Sequence, residues 1–331
     1  SNYITNDLSS IGMQLFYFMR SLNCVLQIFQ EKGSKGEIRV RFKMIIDDET
    51  SNMKIEDILL KRLSMSRRQI RKLKNQRLIL INNSPAYIKS QPAPGDSLEV
   101  IFPEEYVMNI RPEKMYINVI YEDDDLLIIN KDPGMTVHPS SKKEGGSLAN
   151  GVAYYLDHKH ENPMIRPVNR LDKQTSGIVI FAKNQYTHYF LQKEGFEKTY
   201  IAIVHGAIDK ASWITEPIAR EEGSIIKRKV CKTGKKAVTY IEPIENTNDS
   251  TILMVRPLTG RTHQIRLHLS HIGFPIYGDI LYGYPDIMQR QALHAWKTRL
   301  VLPSTKRQLC CEAPFPNDME ELIKDLDYPI T

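Results

Sequence analysis

RPVNRLDKQTSGIVIFAKN, Arg166 to Asn184, is the stretch on which the fold of this chain turns. Gly177 to Ala182 is an apolar run of strand length, and a polar loop precedes it. In that loop Arg170 and Asp172 stand just before Thr175-Ser176-Gly177, which closes it onto the strand. A carboxylate on a loop anchored to a buried strand is a geometry that catalysis can use. Taken alone, an Arg-Leu-Asp triplet is more often a surface ion pair, so the flanking sequence has to decide.

Outward from this strand, Val119 to Tyr121 and Leu126 to Ile129 predict two strands around an acidic turn, closed by Asn130 to Gly134. Further strands are expected at Thr199 to His205, Val238 to Ile244 and Ile252 to Pro257. Helical patterns fall at Ser147 to Asp157, Tyr186 to Glu194 and roughly His263 to Ile272. Strands and helices mix without strict alternation, which predicts an α+β domain with a mixed, largely antiparallel sheet flanked by helices. Walker loop, GxGxxG fingerprint, internal repeat and low-complexity tract are all missing from the sequence.

Ile55 to Leu80 reads as two short helices with a concentrated positive face: Lys61, Arg62, Arg67, Arg68, Arg71, Lys72, Lys74 and Arg77 occur with no acid between the first and last. Leu59, Leu63, Ile70 and Leu73 supply an apolar stripe beneath it. Leu78 to Ile81 then runs as a strand into an Asn82-Asn83 turn, and Leu98 to Phe102 ends the unit. The expected domains are an N-terminal extension over 1–43, a small basic α/β domain over 44–103, a linker over 104–116 and the larger domain over 117–331.

With 331 residues, 41% of them hydrophobic, the chain can bury a sizeable core. Its 45 Lys and Arg against 39 Asp and Glu give +6, a weak pull toward an anionic partner until the charge is located. Cys24, Cys231, Cys310 and Cys311 form no CxxC pair or disulfide framework, which suits a cytoplasmic protein. Gln14, Arg20, Asn23 and Gln27 interrupt the apolar segment Ile11 to Phe29, so no membrane span is expected there. The opening Ser1-Asn2 lacks an initiator methionine, as a cloning remnant would, and the first residues carry little weight.

The Arg166 to Asn184 string resembles the signature of RluA-type pseudouridine synthases, His-Arg-Leu-Asp-x-x-Thr-Ser-Gly, with Asn169 in the place of the usual His. The resemblance runs from Val119 to Phe315. VIYEDDDLLIINKDPGMTVHPS matches the family's opening strands and Lys-Pro-x-Gly turn, with Asp132 inserted. EKTYIAIVHG and RPLTGRTHQIRLHLSHIGFPIYGDILYG follow in the family's order. SRRQIRKLKNQRLILINNSP with PGDSLEVIF resembles the small RNA-binding module of ribosomal protein S-four, whose helices offer basic side chains to phosphates.

The resemblance implies an isomerase that detaches uracil from ribose, turns it and rejoins it through carbon-5, with no metal or other cofactor. It makes Asp172 the catalytic carboxylate, acting by covalent attack or by proton removal. Arg266 is implied as its ion-pair partner, since an opposing charge at close range keeps a carboxylate ionised and oriented. Tyr200 is implied to stack on the target uracil, and Arg170 to enter the RNA as the base flips out. Arg261, Lys131 and Lys173 are expected as phosphate or site-wall contacts, and Arg67, Arg68, Arg71, Lys72 and Lys74 as RNA contacts of the small domain. The partner is RNA, ribosomal RNA being favoured over transfer RNA, and nothing demands more than a monomer.

Two rival readings exist. An RNA-binding protein that has lost catalysis would have no need of a carboxylate opposed to an arginine. An enzyme of free nucleosides would have no use for phosphate contacts at a distance. His263, His268 and His271 lie close together, but no Cys or acid completes a zinc set, and they are read as structural or RNA-facing.

Overall fold

In the computed structural model, which describes residues 26–32, 38–63, 65, 67–102, 110–139, 145–159 and 165–326, the chain divides into two units, 1–104 and 105–331. The smaller contains strands β1 (Leu26–Lys32), β2 (Ile38–Ile45), β3 (Ile79–Ile81), β4 (Ser84–Pro85) and β5 (Ser97–Phe102). They form one antiparallel sheet in the order β1-β2-β5-β3-β4. Helices α1 (Asp48–Ser51), α2 (Ile55–Lys61) and α3 (Arg67–Asn75) complete it. Asn82 and Asn83 take φ of 49° and 66°, the left-handed pair that a tight hairpin turn between β3 and β4 requires. Leu59, Leu63, Ile70 and Leu73 are buried as the stripe predicts, while Arg67, Arg68, Arg71, Lys72 and Lys74 stay exposed. Residues 1–43, expected as an extension, contribute β1 and the start of β2, because pairing with β5 satisfies backbone groups a free extension would leave to water. The apolar segment Ile11 to Phe29 lies mostly outside the described residues.

The larger unit opens with β6 (Asn118–Glu122), β7 (Leu126–Lys131), helix α4 (Leu148–His158), β8 (Arg166–Pro167), β9 (Ser176–Ala182) and helix α5 (Gln185–Glu194). It continues with β10 (Glu197–His205), β11 (Ser212–Ile214), the paired β12 (Ile218–Arg220) and β13 (Arg228–Val230), β14 (Thr239–Asn246) and β15 (Ser250–Pro257). Helix α6 (Gln264–His271), β16 (Leu293–Val301), β17 (Gln308–Glu312) and helix α7 (Asn317–Asp325) end it. Ten of these strands form one mixed sheet, its main path β11-β14-β15-β10-β16-β9-β7-β6. The α+β class with a largely antiparallel sheet is therefore observed.

One side of the sheet packs on α4, whose Leu148, Val152, Ala153 and Leu156 join Leu127, Val179, Ile203 and Leu253 in the core. Ser147 caps α4 reciprocally with Asn150. Residues 110–113 of the expected linker belong to this unit: Ile110 is buried in the core, and Glu113 N–H donates to the Asn150 carbonyl at 3.1 Å. Residues 103–109 lie outside the described residues. Among the described residues no helix is long and apolar enough to cross a membrane.

The parallel neighbours in this sheet are β9 and β16, with Ser176 opposite His294 and Gly177 opposite Ala295. Gly177 has φ +108°, and a Cβ there would stand 2.3 Å from the Ala295 carbonyl oxygen. Only glycine lets the two backbones approach this closely, and the polar loop is launched from that point.

Candidate active site

The loop carrying Asp172 is suspended from the sheet by a set of specific bonds. Val168 N–H donates to the Ile180 carbonyl at 2.7 Å, and the Asn169 side chain brackets β9, accepting from Ile180 N–H at 2.8 Å and donating to the Ile178 carbonyl at 3.0 Å. Asn169 thus serves as an extra rung of the ladder, a role its one acceptor and one donor suit. Leu171 is buried between exposed Arg170 and half-buried Asp172, so packing drives one side chain in and turns its neighbours out.

Two buried cations grip the far side of the loop. Lys131 is 0% exposed and donates to the carbonyls of Asp132, Met135 and Lys173 at 2.7, 2.9 and 3.2 Å. Arg290 donates to the Gln174 carbonyl at 3.0 Å and is itself forked onto Asp318 at 2.6 and 2.7 Å. Burial, then the Arg290 charge, pull the Lys131 pKa down to about 7, against the opposing influence of Asp132 and Asp172. Lys131, expected as a phosphate or site-wall contact, has its ammonium sealed from solvent and engaged by carbonyls, the geometry of a wall rather than of a phosphate contact. Lys173 and Arg261 are exposed, Arg261 with its Nε on the Lys236 carbonyl at 3.0 Å.

Arg266 meets Asp172 from helix α6, Nη1 to Oδ2 at 3.2 Å. Its other edge makes a two-pronged pair with buried Asp279, Nε to Oδ2 at 2.6 Å and Nη2 to Oδ1 at 2.7 Å. Burial disfavours the guanidinium charge, but Asp279 and then Asp172 outweigh it and hold the Arg266 pKa above its usual value. Asp279 also accepts from Leu281 and Tyr282 N–H, so the acid that orients Arg266 is itself fixed. Its neighbour Gly278 has φ +72°, and a Cβ there would lie 2.0 Å from the Arg290 carbonyl oxygen.

Tyr200 lies on β10 within electrostatic reach of the same carboxylate, at a bulge where the register against β16 shifts between Thr199 and Ile201. A bulge re-aims a side chain without ending the strand. Tyr200 is buried, and desolvation together with the Asp172 charge pushes its phenol above the ordinary value. The structure thus brings Asp172, Arg266 and Tyr200 together, with Arg170 and Lys173 on the loop's outer side. His268 is structural, its ring nitrogens 2.9 Å from Thr239 Oγ1 and the Glu216 carbonyl.

The placement of Asp279, Tyr282, Arg290 and His263 around the Asp172–Arg266 pair was not anticipated from the sequence. His263 Nε2 stands 3.8 Å from Asp172 Oδ2, and the Tyr282 ring lies 5.2 Å from the Arg266 Cζ. A signal existed for Asp279. A buried arginine has five donors and one carboxylate cannot satisfy them, so the Gly-Asp of IYGDILYG was the natural second acid.

Residues 125–271, which include Asp172, Tyr200 and Arg266, match the family profile described as RNA pseudouridylate synthase. The uncharacterised RNA pseudouridine synthase YlyB of Bacillus subtilis is 37% identical over 271 residues, 79% of this chain and 89% of that protein. Ribosomal large subunit pseudouridine synthase D of Haemophilus ducreyi is 36% identical over 255 residues, 71% of this chain and 78% of that one. The structure of human RNA pseudouridylate synthase domain containing 1 superposes with a TM-score of 0.51 at 23% identity, over 66% of this chain and 97% of the human one, a likeness of fold.

Proposed function

The chain belongs to the RluA family of RNA pseudouridine synthases, which are isomerases, and on that premise we propose that Asp172 is the carboxylate through which it converts specific uridines of a structured RNA. The observation that carries this reading is the Asp172–Arg266–Asp279 chain: a half-exposed carboxylate whose partner is buried and forked onto a second, fully buried acid. That arrangement presents one acid to a substrate with its orientation set beforehand. The reaction breaks N1–C1′, forms C5–C1′ and moves the C5 proton to nitrogen, so atoms balance without a redox step or a metal. Tyr200 supplies a ring for the detached uracil to stack on and a phenol near the proton to be moved. Arg170, exposed on the same loop, takes the space left by the flipped nucleotide, whose unstacking costs about a few kcal/mol.

The substrate favoured is ribosomal RNA, supported by the similarity to the Haemophilus ribosomal large subunit pseudouridine synthase D, with transfer RNA as the alternative. Helix α3, with Arg67, Arg68, Arg71, Lys72 and Lys74 exposed on one face, is the affinity surface, in the manner of the module of ribosomal protein S-four. The protein acts as a cytoplasmic monomer without cofactor.

A pseudouridine map of total RNA from cells with the normal protein, without it, and with Asp172→Ala tests the assignment. Loss of the same defined uridines in both altered strains is expected. Identical maps, together with inactivity of purified protein on isolated RNA, would sink it in favour of a non-catalytic RNA-binding role.

A further inference from the structure

The two side chains that hydrogen-bond or ion-pair with Asp172 among the described residues address the same oxygen. Arg266 Nη1 reaches Oδ2 at 3.2 Å and His263 Nε2 stands 3.8 Å from that atom, while among the described residues no hydrogen bond or ion pair reaches Oδ1. His263 is held there at some conformational cost. It is the N-cap of helix α6, with φ 57° and ψ 20°, a left-handed conformation uncommon for any residue but glycine. Its side chain is only 10% exposed.

The partner on its other nitrogen sets which one carries the proton. Tyr282 Oη lies 3.0 Å from His263 Nδ1, edge-on to the ring, and already accepts the Arg228 N–H at 2.9 Å. With one acceptor site of the phenol so occupied, its own hydrogen is available for donation to Nδ1. The neutral imidazole then bears its proton on Nε2, the nitrogen that faces Asp172. A sub-ångström shift is enough to close 3.8 Å to a hydrogen bond, a change common between free and occupied sites.

We propose that His263 is a positioning residue which, set in its Nε2–H tautomer by Tyr282, joins Arg266 in holding Oδ2 of Asp172 and leaves Oδ1 as the reacting atom. This rests on Asp172 being the catalytic carboxylate. The charged groups around His263 are Asp172 on the loop, Arg266 on its own helix, Asp279 behind that arginine and Arg228 on β13. Burial holds the imidazole pKa below its ordinary value, with Arg266 and Arg228 acting in the same direction and Asp172 and Asp279 opposing. Near neutrality His263 therefore donates as an uncharged ring. Acidification charges it, binds Asp172 between two cations and slows the reaction.

Single-turnover pseudouridine formation by the purified full chain, on total RNA from cells lacking the protein, tests this between about pH 5 and pH 8. His263→Leu is expected to lower the rate by roughly tenfold to a hundredfold with RNA affinity unchanged, and to lose the acidic limb of the profile. His263→Gln, whose amide donates from a similar place, should recover part of the rate, and the nearly isosteric Tyr282→Phe should fall between. Wild-type rate and acidic limb in both His263→Leu and Tyr282→Phe would overturn the proposal. So would a loss confined to RNA affinity, which would make His263 an RNA contact. If His263→Leu does not fold, Tyr282→Phe decides. Asp172→Ala run alongside separates the premises: activity there overturns the catalytic assignment itself, whereas inactivity there with normal His263 variants overturns only the role of His263.

Discussion

Helix α3 and the Asp172 loop are both short and rich in charge, and they use charge in opposite ways. On α3 the cations lie on an exposed face above buried Ile70 and Leu73. Around Asp172 the cations Lys131, Arg266 and Arg290 are buried, and each is engaged by named oxygens. Exposed charge in water is screened and tolerant of geometry, so it supplies affinity for a polyanion without selecting a base. Buried charge is costly unless fully partnered, and the partners that satisfy it also fix it in place. On the proposed reading affinity and chemistry fall to regions with different physics, and each can be perturbed without the other.

The largest effect should come from breaking the buried side. Asp279→Ala leaves Arg266 desolvated with half its partners gone and is expected to cost about 3–5 kcal/mol of stability, read by urea denaturation. Gly177→Ala should follow at about 1–3 kcal/mol or more, since φ +108° and the Ala295 backbone both oppose a Cβ, and its thermal midpoint would show it. An unchanged midpoint would mean that β9 and β16 part more easily than their pairing implies.

A pH series sharpens the comparison further. Lys131 has a folded pKa of about 7 against an ordinary 10.5, so between those values the unfolded chain holds a proton that the folded chain does not. Stability contributed at this site is lowest below the folded pKa and rises with pH across that window, by at most about 1.4 kcal/mol per pH unit. Lys131→Met should flatten the rise seen in the normal protein between about pH 7 and pH 9. A matching rise in the variant would place the titration elsewhere.

The smallest effect belongs to the exposed side. Arg71→Ala with Lys74→Ala should weaken RNA binding and reduce the slope of log affinity against log salt by roughly one for each phosphate left without its cation, with the single-turnover rate at saturating protein unchanged. A change in that rate instead would mean that α3 does more than hold the polymer.

Much of this was legible in the chain itself. The run Gly177 to Ala182 reads as a strand because it is apolar throughout, and Leu98 to Phe102 and Thr199 to His205 because they are rich in β-branched and aromatic residues. The pairs that define the site were less accessible, since Asp172 with Arg266 is a contact across 94 positions, and only the resemblance to a family brought them together beforehand. Lys131 was expected as a phosphate or site-wall contact, and only the packing around it shows its ammonium turned onto carbonyls.

By itself the sequence determined the local elements, the basic face of α3 and the order of motifs around Asp172, because periodicity, turn residues and charge runs are properties of neighbours in the chain. Tertiary structure alone decided that Gly177 lies against Ala295, that Asp279 stands behind Arg266, and that Tyr282 holds His263 toward the carboxylate. Those relations depend on how distant segments close around one another, and burial, which makes each of them costly to leave unsatisfied, exists only once the chain has folded.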